Sequence, residues 1–170
     1  MGKFLACLFL IFVAAGCASR YVPATKLEKA NILPIELDDA FQFRKQKLWS
    51  FVPGPMEPTQ SEAVIFERLR MEHGVVDSFQ RTQRTGNYFS FFWRAGREAD
   101  ITVRFEYRQA ALGNYVMAQE RYYPAAKGSF QSDFSVIGDD YLEFGKVTAW
   151  RVLLIVDGRI VALSQSFIWR

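Results

Sequence analysis

The chain has 170 residues, one histidine and two cysteines, with 21 basic against 18 acidic side chains. The net charge of +3 is small and residues of both signs are interspersed, so no block of like charge indicates a nucleic-acid partner. Aromatic residues make up 16% of the chain, which favours β-structure or an aromatic-lined surface.

The N-terminal residues have the layout of a secretory signal peptide. Met1-Gly2-Lys3 supplies a positive charge, an apolar run over 4–13 follows, and small residues precede Cys17. Because a membrane-spanning helix needs about 20 apolar residues, this run is too short to be a comfortable span. The sequence therefore predicts a signal peptide over residues 1–16.

The small residues before Cys17 carry a family resemblance. Ala14-Ala15-Gly16-Cys17 resembles the lipobox of bacterial lipoproteins, in which the cysteine thiol receives a diacylglyceryl group and the peptide is cut before it. The resemblance implies cleavage between Gly16 and Cys17 and attachment of lipid to Cys17. An ordinary secreted protein and an uncleaved anchor are the alternatives.

The same resemblance implies that the protein resides in the cell envelope, anchored to a membrane by the lipid on Cys17. Several acyl chains together make such an anchor permanent, because each buried methylene contributes about 0.8 kcal/mol. By the sorting rule of bacteria with two membranes, Ala18 in place of aspartate favours the outer membrane. Since Cys7 lies in the signal peptide, the mature domain is expected to lack disulfides.

The rest of the chain divides into a tether and one domain. Residues 17–37 contain Pro23 and Pro34, mixed charge and little periodicity, so they are predicted to form a flexible, lipid-anchored tether. Residues 38–170 are predicted to form a single β-rich domain, because their number suits one hydrophobic core.

Residues 38–52 admit two interpretations. Asp38 or Asp39 can cap a short amphipathic helix, which is the interpretation that we favour. The alternation that begins with Phe41 and Phe43 suits a strand instead.

A helix is predicted over residues 60–73. The proline-rich run 53–58 ends the preceding element, because proline lacks an amide donor and fixes φ. Thr59 and Glu62 fit a capping box, and Gly74 is suited to end the helix in a left-handed conformation.

Period-two alternation from Tyr88 onward predicts a series of β-strands. The first strand ends at a turn over Ala95-Gly96-Arg97, and the next contains the clear alternation from Ile101 to Tyr107. Further strands are predicted at 114–123, 129–137, 146–156 and 159–169.

Asp157-Gly158 is a strong signal for a β-hairpin with a two-residue loop. Such a loop sets Val156 opposite Arg159 and predicts Leu154 opposite Val161. It also sets Val152 opposite Leu163. The residues predicted to face the core are Trp150, Val152, Leu154 and Val156 in the first strand and Val161, Leu163 and Phe167 in the second. The opposite face of the hairpin is also fairly apolar, which predicts some cover on both sides.

Six or seven strands without alternating helices predict a mainly β protein, an antiparallel β-sandwich preceded by one or two short helices. The layout loosely resembles immunoglobulin-like and transthyretin-like sandwiches, without the cysteine pair of antibody domains. This resemblance concerns architecture alone and implies no activity.

The sequence contains no motif that predicts catalysis, a metal site or a cofactor. His73 is the lone histidine, no nucleophile elbow accompanies it, and the end of a helix is a favourable place for its side chain. Zinc sites use several cysteines or histidines, and Asp139-Asp140 lacks the spacing of a calcium loop. Gly145-Lys146 lacks the hydroxyl residue of a P-loop. We therefore predict a non-enzyme, with a hydrolase that uses paired carboxylates as the least favoured alternative.

The favoured function is a membrane-anchored, non-enzymatic interaction or assembly module that has a protein partner in the cell envelope. Protein interfaces are enriched in tyrosine, tryptophan and arginine, which are abundant here. The candidate interaction surface consists of Arg81, Arg84, Arg104, Arg108 and Trp169.

The alternative function is a ligand-binding module for carbohydrate or another envelope component. Trp93, Trp150 and Trp169 can form an aromatic platform for a sugar, and Trp169 is expected to be the most exposed of the three. Arg81 and Arg84 are expected in an exposed loop or edge strand, where they can face a ligand.

Overall fold

The computed structural model describes residues 22–28, 30–53, 61–71 and 77–169. Its strands are β1 (Thr25–Leu27), β2 (Phe41–Phe51), β3 (Gly86–Gln109), β4 (Met117–Ile137), β5 (Val147–Val156) and β6 (Arg159–Gln165). Its helices are α1 (Glu62–Met71), α2 (Ser78–Arg84) and α3 (Asp139–Phe144), with a 3₁₀ turn at Ala110–Leu112. The predicted mainly β, antiparallel class is confirmed, and the first two helices follow β2.

Strand β3 is long enough to belong to two layers of the fold. Its residues 86–95 pair with β2 and residues 102–109 pair with β5, while β4 pairs along both halves. The register with β4 shifts between Ala95 and Ile101, and bulges of this kind bend a strand. The bend produces a three-stranded layer (β2, the start of β3, the end of β4) facing a five-stranded layer in the order β6-β5-β3-β4-β1.

Aromatic side chains fill the space between the two layers. Phe89 and Phe105 belong to the same strand, yet their ring centroids lie 4.6 Å apart because β3 folds back on itself. The centroids of Phe91 and Trp150 lie 5.3 Å apart, and all four rings are buried. Burial of each large apolar side chain contributes about 1.5–3 kcal/mol, so this core is a main source of stability.

The bend corrects two predictions. The predicted turn Ala95-Gly96-Arg97 lies within β3, and the predicted strands 114–123 and 129–137 are two parts of β4. Ala125 and Gly128 have positive φ angles where β4 bends beside it. The chain stays paired on both sides of the bend, so packing between the layers favours one bulged hairpin over two separate turns.

Residues 38–52 contain strand β2, so the favoured helix is wrong and the alternative interpretation is right. The Asp38 carboxylate accepts a hydrogen bond from the Ala40 amide at 2.8 Å and thereby forms a turn before the strand. The helix predicted over 60–73 is confirmed as α1. The capping residue Thr59, and with it His73 and Gly74, lies outside the described residues.

The β5–β6 hairpin has the predicted turn and a different register. The φ angles of Asp157 and Gly158 are 49° and 72°, which suits a type I′ turn. Val156 pairs with Arg159 as predicted, but a bulge in β6 sets Leu154 opposite Ala162. The bulge allows two consecutive residues of β6 to face inward, and they are both buried in the core.

The core face of β5 is as predicted, since Trp150, Val152, Leu154 and Val156 are all buried. In β6, Leu163 and Phe167 do not face the core and are 39% and 86% exposed. The bulge sets Leu163 opposite Leu153 instead of Val152. Phe167 follows the end of β6 at Gln165, after which the chain turns and the alternation no longer applies.

Two described parts of the segment 17–37 are bonded to the sheet, unlike the flexible coil predicted for it: residues 25–27 and residues 34–36. Strand β1 pairs with β4 at one edge of the five-stranded layer. Residues 30–38, here called the strap, lead to the opposite edge, where Ile35 forms a parallel bridge with Ile160. Among the described helices, none is both long and apolar enough to span a membrane.

Candidate functional site

The structure divides the five predicted interaction residues between two regions. Arg104 and Arg108 project from β3 on the outer face of the five-stranded layer, with Trp169 beside Arg108. Arg81 and Arg84 lie in α2, close to the three-stranded layer. These five residues therefore do not form one surface.

Helix α2 replaces the exposed loop or edge strand predicted for Arg81 and Arg84. Asp77 caps the start of the helix: its backbone is extended, and its side-chain oxygen accepts a hydrogen bond from the Gln80 amide at 2.7 Å. Both arginines lie in the last turn, where a positive charge is favoured by the helix dipole. The Tyr88 hydroxyl donates to the Arg84 carbonyl at 2.6 Å, which joins the helix to the start of β3.

Four charged residues on the outer face of the five-stranded layer bond one another and are here called the ion-pair cluster: Arg104, Glu106, Glu120 and Arg151. Arg104 donates through Nε to Glu120 at 2.5 Å, and its Nη1 lies 3.9 Å from Glu106. Arg151 donates through Nε to the other oxygen of Glu106 at 2.5 Å. Glu106 is 3% exposed, and two opposite charges offset the cost of burying it. The cluster is thus internally balanced.

Trp169 is enclosed next to this cluster, which corrects the expectation that it is exposed. Its ring lies between the guanidinium groups of Arg108 and Arg151, at 4.8 and 5.0 Å, and the residue is 7% exposed. The Ser166 amide bonds the Trp150 carbonyl, and this contact turns the C-terminal residues back onto the layer. Cation–π contacts of this kind stabilise a closed surface.

A groove of about 410 Å³ lies between the strap and the ion-pair cluster. Its walls are mostly apolar and include Leu33, Leu153 and Ile160. Arg104 also donates to the Asn31 carbonyl at 2.8 Å, which fastens the strap across the layer. The arginines and glutamates of the groove floor already bond one another, so few of their polar atoms remain for a ligand.

The outer face of the three-stranded layer differs in character. Alternation in the β2–β3 register places six basic and aromatic side chains on it, here called the basic aromatic face: Lys45, Lys47, Trp49, Tyr88, Phe92 and Arg94. The rings of Trp49 and Tyr88 stack at 4.0 Å with 3° between their planes. The Lys47 amine lies 5.7 Å from the centre of the Phe92 ring. The face is therefore held in one arrangement by contacts between neighbouring strands.

The basic aromatic face carries a net positive charge. Within the described part of the chain, Lys45, Lys47 and Arg94 form no ion pair. Asp133 is the acidic residue among those of β4 that lie opposite this part of β3. Its carboxylate accepts a hydrogen bond from the Gln131 side-chain amide at 2.8 Å. Burial raises the pKa of Tyr88 while nearby Arg84 lowers it. The face thus combines unpaired cations with aromatic rings.

This face was not predicted from the sequence. A helix over residues 38–52 would place Lys47 on the opposite side from Lys45 and Trp49, whereas the strand aligns all three on one side. Their spacing of two is the signal that could have identified them.

Comparison with protein-family models, with curated proteins and with solved structures finds no match for this chain. In the described part of the chain, no three or more histidine, cysteine, aspartate or glutamate side chains are grouped in a way that could hold a metal ion. Gly16 and Cys17, the predicted cleavage and lipid sites, lie outside the described residues.

Proposed function

We propose that this protein is a membrane-anchored envelope lipoprotein whose domain is a non-enzymatic interaction module that holds a protein partner on the basic aromatic face. The observation that carries the proposal is a set of cations that form no ion pair among the described residues, beside a stacked tryptophan and tyrosine on an exposed sheet surface. Aromatic residues and arginine are enriched where proteins meet. A partner surface of complementary, acidic character fits best, because like charges oppose docking.

The contrast with the other face supports this choice. On the five-stranded layer Arg104 and Arg151 bond acids of the same chain, and Trp169 is covered. On the three-stranded layer Trp49 is 43% exposed, so its ring can still lose contact with water on binding. Burial of such a ring in a pocket of the partner is a common source of binding energy.

Copurification from the cell envelope tests the proposal. The lipidated protein is isolated from gently solubilised membranes, and proteins retained in stoichiometric amount are identified by mass. Lys45→Gln with Trp49→Thr should lower the retained partner at least tenfold, because charge and ring contact are both lost. The control, Arg159→Gln with Leu163→Thr, changes exposed residues of β6 and should retain the partner. Equal retention by both variants contradicts the proposal.

Substitution of each of the two cysteines tests the lipid anchor separately. Cys17→Ala should abolish lipid attachment and leave an unprocessed precursor, because no thiol remains at the cleavage site. Cys7→Ala, a change of the same chemistry within the signal peptide, should be processed normally. Membrane fractionation and the intact mass of each product distinguish the two results. Normal maturation of the Cys17→Ala protein contradicts the anchoring proposal.

The groove favours ligand binding as a second candidate function. Its volume of about 410 Å³ and its apolar walls are within the range of small-molecule sites. Ala30→Trp would place an indole in the groove, and Ile32→Trp would add one at an exposed position of its rim. A glycan or lipid that raises the melting temperature of the native protein and of the Ile32→Trp protein, but not of the Ala30→Trp protein, supports this function. The absence of saturable binding by every glycan and lipid tested contradicts this second function.

A further inference from the structure

Strand β2 has a partner strand on one side only among the residues that the structure describes. In the sheet order, β2 pairs with β3 on one side, and no described strand pairs with its other side. Strand β6 of the other layer makes a polar contact with β2, in which the Ser164 hydroxyl donates to the Gln46 side chain at 3.1 Å. An unpaired edge presents backbone donors and acceptors to any extended chain that approaches it.

The hydrogen-bond pattern indicates which residues present them. The Gln131 and Ser135 carbonyls accept side-chain bonds from Tyr123 and Gln119, so these carbonyls point away from β3. In β3, Phe92 lies opposite Gln131 and Tyr88 lies opposite Ser135. Residue pairs in an antiparallel ladder alternate between hydrogen-bonded and non-hydrogen-bonded, and these two pairs are non-hydrogen-bonded. The backbone groups of Phe92 and Tyr88 therefore point toward β2.

In β2, the residues opposite those two are Lys45 and Trp49, whose backbone groups therefore bond β3. By the same alternation, the backbone groups of Gln46, Leu48 and Ser50 face the edge. Three amides and three carbonyls thus point outward over residues 46–50. Leu48 is 45% exposed on the inner side of this edge, and no proline interrupts β2.

We infer that an extended segment of the protein partner adds as a strand to this edge of β2, with acidic side chains beside Lys45 and Lys47. The inference rests on the proposed function and specifies how the partner binds. Lysines on an edge strand discourage pairing with neutral or basic strands. Opposite charges on adjacent strands stabilise the pair, so the same lysines select an acidic segment. Backbone bonds would give affinity, and the lysines would give specificity.

A second copy of the chain would meet like charges in two of the registers open to it. An antiparallel copy centred on Gln46 sets Lys45 opposite Lys47 of its twin, and a parallel copy in register sets each lysine beside itself. Like charges in these positions destabilise the pairing. A different protein with acidic residues at alternate positions pairs favourably with both lysines, whereas a dimer would have to use the antiparallel register centred on Leu48, which sets Lys47 opposite Trp49.

Two peptides test the inference with the full mature protein in detergent solution. One is a ten-residue peptide in which glutamate alternates with valine, and the other carries lysine in place of glutamate. The acidic peptide should bind at least tenfold more tightly and slow hydrogen exchange at the amides of Gln46, Leu48 and Ser50. Equal affinity for the two peptides, or protection confined to other amides, would overturn the inference.

Leu48→Pro removes one outward amide and leaves the bonds to β3 in place, since proline is tolerated on an edge. It should lower affinity for the acidic peptide at least tenfold, whereas Leu48→Thr, which keeps the amide, should not. If the proline variant does not fold, the double variant Lys45→Glu with Lys47→Glu serves instead. This reversal should exchange the preference between the two peptides, and an unchanged preference would overturn the inference.

Envelope copurification separates this inference from the proposed function. Loss of the partner by both the Leu48→Pro and the Lys45→Gln with Trp49→Thr proteins supports strand addition. Loss by the second protein alone supports docking on the face and overturns strand addition. Loss by neither overturns both. A Leu48-dependent dimer of the purified protein, measured by sedimentation, would assign the edge to a second copy and overturn the inference.

Discussion

The two outer faces of the domain use the same residue types in opposite ways. On the five-stranded layer, Arg104 and Arg151 bond Glu106, and Trp169 is enclosed between guanidinium groups. On the basic aromatic face, the lysines bond no acid within the described chain, and Trp49 keeps an open surface. Charge and aromatic content alone therefore do not identify an interaction surface. What distinguishes the faces is whether the cations bond acids of the described chain and how much of the tryptophan ring is exposed.

The largest expected difference is between the two tryptophans. Trp169→Ala should lower the free energy of unfolding by about 3 kcal/mol, because it empties an enclosed site beside two arginines. Trp49→Ala should cost only about 1 kcal/mol, since part of its ring is in water already. Urea unfolding curves of the two variants measure both values. Similar losses would remove the proposed distinction between the faces.

Removal of one charge from the ion-pair cluster should have the next largest effect. Glu106→Gln leaves two arginines without a shared acid, and we expect a loss of about 2 kcal/mol because Arg151 is partly exposed and screened by water. Glu36→Gln breaks the exposed pair with Arg159 and should cost no more than about 0.5 kcal/mol. The difference between their urea midpoints checks this expectation, and an equal cost contradicts it.

A smaller effect on the free energy of unfolding should be seen only in alkaline solution, because it arises from two tyrosines buried between the layers. Burial raises the pKa of Tyr107 and of Tyr123 above the ordinary 10.0, so folding opposes their ionisation. Their contribution to stability is complete below pH 10 and is lost as pH rises through the folded-state pKa. The double variant Tyr107→Phe with Tyr123→Phe should flatten the alkaline decline in unfolding free energy. Tyr115→Phe, at an exposed residue, should leave that decline as it is.

The smallest effect on stability should come from the basic aromatic face. Lys45→Gln and Lys47→Gln should each change the free energy of unfolding by less than about 0.5 kcal/mol, since neither lysine bonds an acid within the described chain. Chemical denaturation of each variant measures this value. A loss as large as that of Glu106→Gln would mean that the lysines serve the fold, contrary to the proposal.

Local patterns were sufficient for the fold class and for several elements. Period two gave the strands, and Asp157-Gly158 gave the hairpin turn with its first residue pair. The continuous bend of β3 and β4 was not predictable, because Ala95-Gly96-Arg97 has the composition of a turn and only packing between layers keeps it paired. The bulge in β6 likewise depends on which of two neighbouring side chains the core accepts.

The candidate surface was predicted less well than the fold. The sequence indicates that arginine and aromatic residues are abundant, but it does not tell which arginines have acidic neighbours from distant strands. Arg104 meets Glu120 and Glu106 only after β3 and β4 have paired. A strand over residues 38–52 would have predicted that Lys45 and Lys47 lie on the same face. The helix that was favoured there did not predict it.

The route of residues 25–38 has a mechanical consequence. Tension arriving from the N-terminal side would first load the three residue pairs between β1 and β4 in sequence. It would then reach the bond between Asn31 and Arg104, and after it the bonds of residues 34–38 to β6 at the far edge. Because the load crosses the layer from one border to the other, the strap should yield in successive small steps. Its release would uncover Leu153 on the outer face, while the residues between the two layers should stay packed.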